Sequence, residues 1–190
     1  RMLKDLVKQC RSYRRFYEEE RISEDTLKEL VDLARLSGST ANSQALKYYL
    51  AVDEAVCARI FETLTWAKAL PDWDGPAEGE RPTAYIVIAC DQTVGKHKMW
   101  DEGIAAQSIM LGAVEKGLGG CMIGSFNRTK LAEYLNLDSQ RYALDLVLAL
   151  GKPKEKVVIV PVGPDGNTQY YRDEEQVHYV PKRDLNDILL

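Results

Sequence analysis

DEGIAAQSIMLGAVEKGLGGCMIGSF, residues 101–126, is apolar almost all the way round when its first part, Asp101 to Gly117, is wound at about 3.6 residues per turn. A helix without a polar stripe is buried on most of its surface. Gly103, Ala105, Ala106, Gly112 and Ala113 let another backbone come close, and that neighbour could be the same helix in a second copy of the chain. The glycines that follow, Gly117, Gly119, Gly120 and Gly124, invite a dinucleotide-fingerprint reading, but the spacing is GLGGCMIG and not GxGxxG, and it follows a helix instead of a strand. Two readings stand at this point. The run is a helix C-cap with a tight connection, or it is bare backbone against which a flat ligand can lie, with N–H groups able to bond to it.

Working outward, AYIVIACD at 84–91 is a continuous apolar strand, expected near a sheet centre with both faces covered. YALDLVLALG at 142–151 is a second buried strand, and KYYLAV at 47–52 a third. Met2 to Gln9 makes a short helix. Ser23 is a good N-cap for a second helix running to about Leu36, whose apolar face repeats at Leu27, Leu30, Val31 and Ala34. Ala55 to about Ala69 and Thr129 to Leu135 read as further helices, and PDWDGPAEGERP from Pro71 as a loop. Helices and strands alternate without a regular βαβ rhythm, and no internal repeat is present. The class is α/β or α+β in a three-layer arrangement, within one domain spanning residues 1–190.

Composition narrows the function. The net charge is −4 and the pI about 5.3, yet residues 1–15 hold six basic residues against Asp5, a local balance of about +5. One short basic cluster suits a small anion better than a nucleic acid. No apolar run reaches the roughly 20 residues of a membrane span, and no signal-peptide core is visible, so a soluble, cytoplasmic protein is expected. Cys10, Cys57, Cys90 and Cys121 are far apart without a CxxC pair, which argues against disulfides and zinc. His97 and His178 both read as ordinary surface, leaving hydrolytic chemistry without an evident base. No HExxH occurs, although Asp91, Asp101 and Glu102 could gather around an ion. Asp72 and Asp74 read as a solvated loop, and Tyr85 as core packing. What remains is RSYR at 11–14: guanidinium groups grip phosphate oxygens in pairs and a serine hydroxyl can fill a further acceptor, so the motif reads as a phosphate clamp.

The chain resembles the nitroreductase-like family of FMN oxidoreductases, in particular its short members. The resemblance rests on RSYRRF at 11–16, SGSTANSQ at 37–44, GLGGCMIGSF at 117–126 and LALGKPKEK at 148–156, with VPKR at 180–183 as a basic tail. It implies a three-layer α-β-α fold with a central, mostly antiparallel sheet, homodimeric, with residues 161–190 as a C-terminal arm. It also implies residue roles. Arg11 and Ser12 would bind the FMN phosphate, flanked by Tyr13, with Lys182 and Arg183 closing from the tail. Arg14 would lie at the pyrimidine edge of the ring, where positive charge favours the reduced flavin. Gly38, Ser39, Thr40 and Asn42 would reach the ring or ribityl chain from the partner subunit. The backbone at Ile123, Gly124 and Ser125 would line the ring's face. The sequence departs from the family pattern at Gly38, at Ala45-Leu46 and at Cys10, and it lacks an Asn-x-x-Lys between Trp66 and Arg81.

The implied activity is FMN-dependent transfer of hydride from NADH or NADPH to a small aromatic or quinone acceptor, with no catalytic side chain, no metal, no nucleic-acid partner and no membrane. Two rivals share the fold: reductive dehalogenation or flavin fragmentation, and FMN binding without turnover.

Overall fold

The computed structural model describes residues 2–95 and 99–190; His97 lies outside the described residues. The chain forms α1 (Leu3–Gln9), α2 (Glu24–Leu36), β1 (Leu46–Ala51), α3 (Glu54–Thr63), β2 (Ala84–Asp91), α4 (Met99–Glu115), β3 (Gly119–Ile123), α5 (Arg128–Tyr134) and β4 (Tyr142–Gly151). A second group of strands follows: β5 (Val157–Pro161), β6 (Tyr171–Arg172) and β7 (His178–Lys182). Ser23 caps α2 by accepting from the Thr26 N–H, and Asp53 caps α3 by accepting from Val56. The third helix stops well before the expected Ala69. Leu64 pairs with Phe126, and the Thr65 N–H bonds to the Ser125 carbonyl at 2.9 Å, so backbone pairing with another segment displaces further helical turns.

The main sheet has the order β1-β2-β4-β3, with every pair antiparallel. β2 lies between two neighbours and is buried along its whole length, as its unbroken apolar run predicts. Its alternate residues serve two cores. Tyr85, Val87 and Ala89 face α3 and α5, while Ala84, Ile86 and Ile88 face α2 and α4, which gives the three-layer α-β-α arrangement. Ile88 pairs with Leu146 but Ala89 with Leu144, leaving Asp145 over at a β-bulge. The carboxyl of buried Glu102 meets Asp145 there; burial first, then that neighbour, holds Glu102 above the usual carboxylate range.

β5, β7 and β6 form a smaller sheet, with β5 parallel to β7 and β6 antiparallel to it. It begins at Val157, ahead of the arm expected from 161. Two apolar surfaces stay uncovered within the subunit. α1 buries none of its residues, with Met2, Leu3 and Val7 exposed, and α4 leaves Trp100, Gly103 and Ile104 outward although its other side is fully packed.

Candidate functional site

The C-cap reading of the glycine run holds at its first residue. Gly117, at φ +74°, ends α4 as a C-cap, with the Leu118 N–H bonding to the Ala113 carbonyl at 2.8 Å. The chain then enters β3 as an edge strand. There Ser12 bridges Gly120 in parallel, and the Tyr13 N–H donates to the Gly120 carbonyl at 2.9 Å. A Cβ on Gly119 would come within 2.6 Å of the Tyr13 ring, and one on Gly120 within 2.1 Å of the Ala149 carbonyl oxygen. Gly119 thus leaves room for Tyr13 of the arginine segment, and Gly120 for the close approach of β4. Gly124 differs, since a Cβ there would meet nothing within 4 Å, and its face is open to a ligand.

Beneath the docked segment lies a buried polar network. Glu155, 0% exposed at its side chain, accepts the Arg14 backbone N–H at 2.6 Å and pairs with Arg172, itself 8% exposed, at 3.1 Å. The Arg172 guanidinium stacks on Trp73 at 4.3 Å, and the Arg14 guanidinium on Tyr170 at 4.9 Å. His178 packs on Tyr170 with ring centroids 5.2 Å apart. Sequence alone places His178 on the surface; here it is 1% exposed, because β7 carries it beneath Arg14. Burial, then the charges of Arg14 and Arg172, pushes its pKa down to about 4, so the imidazole is neutral.

Two cavities open above this network, of about 270 and 250 Å³, sharing Arg14 and Met122 in their walls. The first brings together Arg11, Ser12, Arg14, Lys182 and the unforeseen His178. The second brings together Ile123, Gly124 and Ser125, and adds Trp66 and Lys68. Lys68 adds a second cation beside Arg14 to this wall, and the spacing Thr65-x-x-Lys68, with threonine in place of asparagine, is its signal in the sequence. Tyr13 and Arg183 line neither cavity: the Tyr13 hydroxyl donates to the Gln9 carbonyl at 2.8 Å, and Arg183 is exposed. Arg15 is also spoken for, since Glu80 pairs with it at 3.1 Å and with Lys154 at 3.1 Å.

The turn at 37–44 lies elsewhere in the subunit. Gly38 and Ser39 line a separate cavity of about 170 Å³ beside Tyr48 and Asp101. The Thr40 backbone N–H and hydroxyl both donate to Asp101 Oδ1 at 2.9 Å, and Trp100 Nε1 donates to the same hydroxyl at 2.8 Å, so Thr40 anchors the turn to α4. Asn42 is exposed, at φ +54°. The three acids considered for an ion do not gather: Asp91 pairs with Arg141 at 3.0 Å, Asp101 holds Thr40 and Glu102 meets Asp145.

FMN can be tested against these walls. A phosphate on a flat ring needs donors at one end and uncluttered backbone along a face. Arg11 Nε, Arg14 Nη1 and His178 Nδ1 are buried without a hydrogen-bond partner, all on residues of the 270 Å³ cavity, and an unsatisfied buried group costs about 1–3 kcal/mol. An anion satisfies the arginine donors, and open Gly124 supplies the face. The residues fit the group.

A model of the Nitroreductase family matches residues 7–152. An Archaeoglobus fulgidus protein, named "Putative NADH dehydrogenase/NAD(P)H nitroreductase", is 25% identical over 150 residues, covering 75% of this chain and 80% of that protein. Among solved structures, an FMN-dependent nitroreductase from Clostridium difficile R20291 superimposes with a TM-score of 0.64 at 22% identity, over 81% of this chain and 89% of that one. A Desulfovibrio desulfuricans structure described as a "putative nitroreductase in complex with fmn" gives 0.72 at 18% identity, over 100% and 96%. The architecture here is thus the nitroreductase fold, and the chain belongs to the nitroreductase family of oxidoreductases.

Proposed function

We propose that the chain is an FMN-dependent NAD(P)H oxidoreductase that works as a homodimer, with one flavin held at each of two sites between the subunits. The observation that carries the reading is the gathering of partnerless buried donors, Arg11 Nε and Arg14 Nη1, in one cavity with Ser12 and Lys182. Three cations facing a neutral histidine suit a phosphate dianion. Arg14 and Lys68 place positive charge where a bound ring would gain electrons, and the N–H groups from Ile123 to Ser125 orient its face. The chemistry that FMN supplies when bound is hydride acceptance from NADH or NADPH at N5 and, once the donor has left, reduction of a small nitroaromatic or quinone acceptor in a ping-pong sequence. The protein's part is to bind, orient and exclude water. Two features support the homodimer. Gly38 and Ser39 line a cavity that contains neither Arg11 nor Arg14 of their own subunit, and the outward faces of α1 and α4 are apolar.

The test is spectroscopic. The purified chain, offered FMN and dialysed, is expected to keep an oxidised-flavin absorbance that NADH or NADPH bleaches without oxygen and that menadione or nitrofurazone restores. A colourless protein after dialysis would sink the reading. Retained flavin that neither dinucleotide bleaches would instead establish binding without turnover.

A further inference from the structure

A cavity of about 550 Å³ shares no wall with the arginine site. It opens between residues 18–21, the outer side of α3 and residues 78–82, with the start of β2 as its floor. Arg15 and Lys154 both pair with Glu80, each at 3.1 Å, which leaves one positive charge in excess on the side toward the arginine segment. Tyr85 is 0% exposed and lines this cleft, yet its hydroxyl has no hydrogen-bond partner. Arg81 stacks on Phe61 at 4.3 Å and leaves its buried Nε without an acceptor. Two polar groups at the floor thus lack a partner that an oxygen acceptor would supply.

The rim has the opposite need. Glu19, Glu54 and Glu78 line it and are exposed, and no ion pair engages them among the described residues. Four glutamates against two arginines give the cleft an excess of two negative charges. A simple anion would be repelled by that rim, and a simple cation would leave the Arg81 and Tyr85 donors unmatched. A molecule with an acceptor at one end and an ammonium group at the other satisfies both, while Phe61, Ala58 and Pro82 offer apolar surface to a side chain. We propose that this cleft is a second ligand site taking a small zwitterion of the α-amino-acid type, its carboxylate toward Tyr85 and Arg81 and its ammonium among Glu19, Glu54 and Glu78. Occupancy is legible from outside the cleft, because Phe61 lies 5.9 Å from Trp66, centroid to centroid, and Trp66 lines the cavity at Ile123–Ser125.

The experiment titrates the full chain with L-phenylalanine and L-leucine, and with phenethylamine and 3-phenylpropionate, which each lack one charge, following tryptophan emission and heat. Saturable binding of at least one amino acid is expected, with each truncated analogue weaker by about tenfold or more, the loss of one charge-assisted contact. Tyr85→Phe removes only the partnerless hydroxyl, so it should keep the fold while weakening amino-acid binding about tenfold. Glu78→Gln, on the exposed loop, should weaken it several-fold. Absence of a saturable signal with both amino acids would overturn the proposal and leave the Tyr85 hydroxyl to water alone. Equal binding of the truncated analogues, or unchanged affinity in both variants, would overturn it as well.

Discussion

Residues 10–17 and residues 155–182 line the same cavity and contribute to it in opposite ways. The first stretch presents the half-buried Arg11 and the buried Arg14, whose Nε and Nη1 await a partner, and it docks through its backbone onto Gly120. The second holds itself together through Glu155, which closes on Arg172 and on the Arg14 N–H, and turns only Lys182 and the partnerless His178 Nδ1 toward the cavity. One stretch is built to bind and the other to hold. Substitutions in the first should therefore change what the cavity retains, and substitutions in the second should change whether the cavity forms.

The largest effect is expected at Glu155. Glu155→Ala strands the nearly buried Arg172 guanidinium and the Arg14 amide, and breaking one side of a buried pair costs about 3–5 kcal/mol. At roughly 2–4 °C per kcal/mol for a chain of this size, the thermal midpoint should fall by on the order of 10 °C. Replacing both partners, Glu155→Met with Arg172→Met, should recover most of the loss, because an apolar pair leaves no charge buried alone. A midpoint within a degree or two of the parent in the single variant would refute the division of labour between the two stretches.

Arg11→Ala probes the other side and should do the reverse. Among the described residues its side chain bonds to the Val7 carbonyl alone, at 2.9 Å, so stability should change by no more than about 0.5 kcal/mol. FMN affinity, followed by quenching of flavin fluorescence on titration, should weaken by about 1.5–3 kcal/mol, the worth of a charge-assisted hydrogen bond. Equal affinity in parent and variant would remove Arg11 from the phosphate end of the site. A variant that loses stability instead would merge the two stretches into one structural unit.

The same contrast explains what the sequence could disclose. β2 and β4 were legible because unbroken apolar runs have one comfortable place, the middle of a covered sheet. RSYR was legible because charge clustered on a short segment is visible without a fold. β3 was not, since glycine has low strand propensity and Gly119–Ile123 extends because β4 offers it an open edge. Glu155, Arg172 and His178 were hidden for a related reason: their types belong on surfaces, and only the small sheet folding over Arg14 buries them. The end of α3 was misplaced because pairing with residues 125–126, far along the chain, stops it. Of the residues expected at the cofactor, Tyr13 and Arg183 fall outside both arginine-lined cavities, and Gly38 and Ser39 line a different one.

The finest test of the holding stretch is the pH dependence of His178. Burial, Arg14 and Arg172 lower its pKa from 6.5 to about 4. Above pH 6.5 the imidazole is neutral in both the folded and unfolded chain, and its contribution is fully present. As the pH falls from 6.5 toward 4 the unfolded chain takes a proton that the fold refuses, so stability drops, by at most about 1.4 kcal/mol per pH unit. Glu102 pulls the other way, because its raised pKa makes stability fall as the pH rises above the ordinary carboxylate range. A single stability curve therefore mixes the two, and the difference between parent and His178→Gln separates them, since glutamine does not titrate. In urea unfolding of the flavin-free chains, the parent should lose about 1–2 kcal/mol relative to the variant between pH 6.5 and 4.5. Parallel curves would mean that position 178 titrates as it does in water, and that the small sheet does not seal the floor of the cavity.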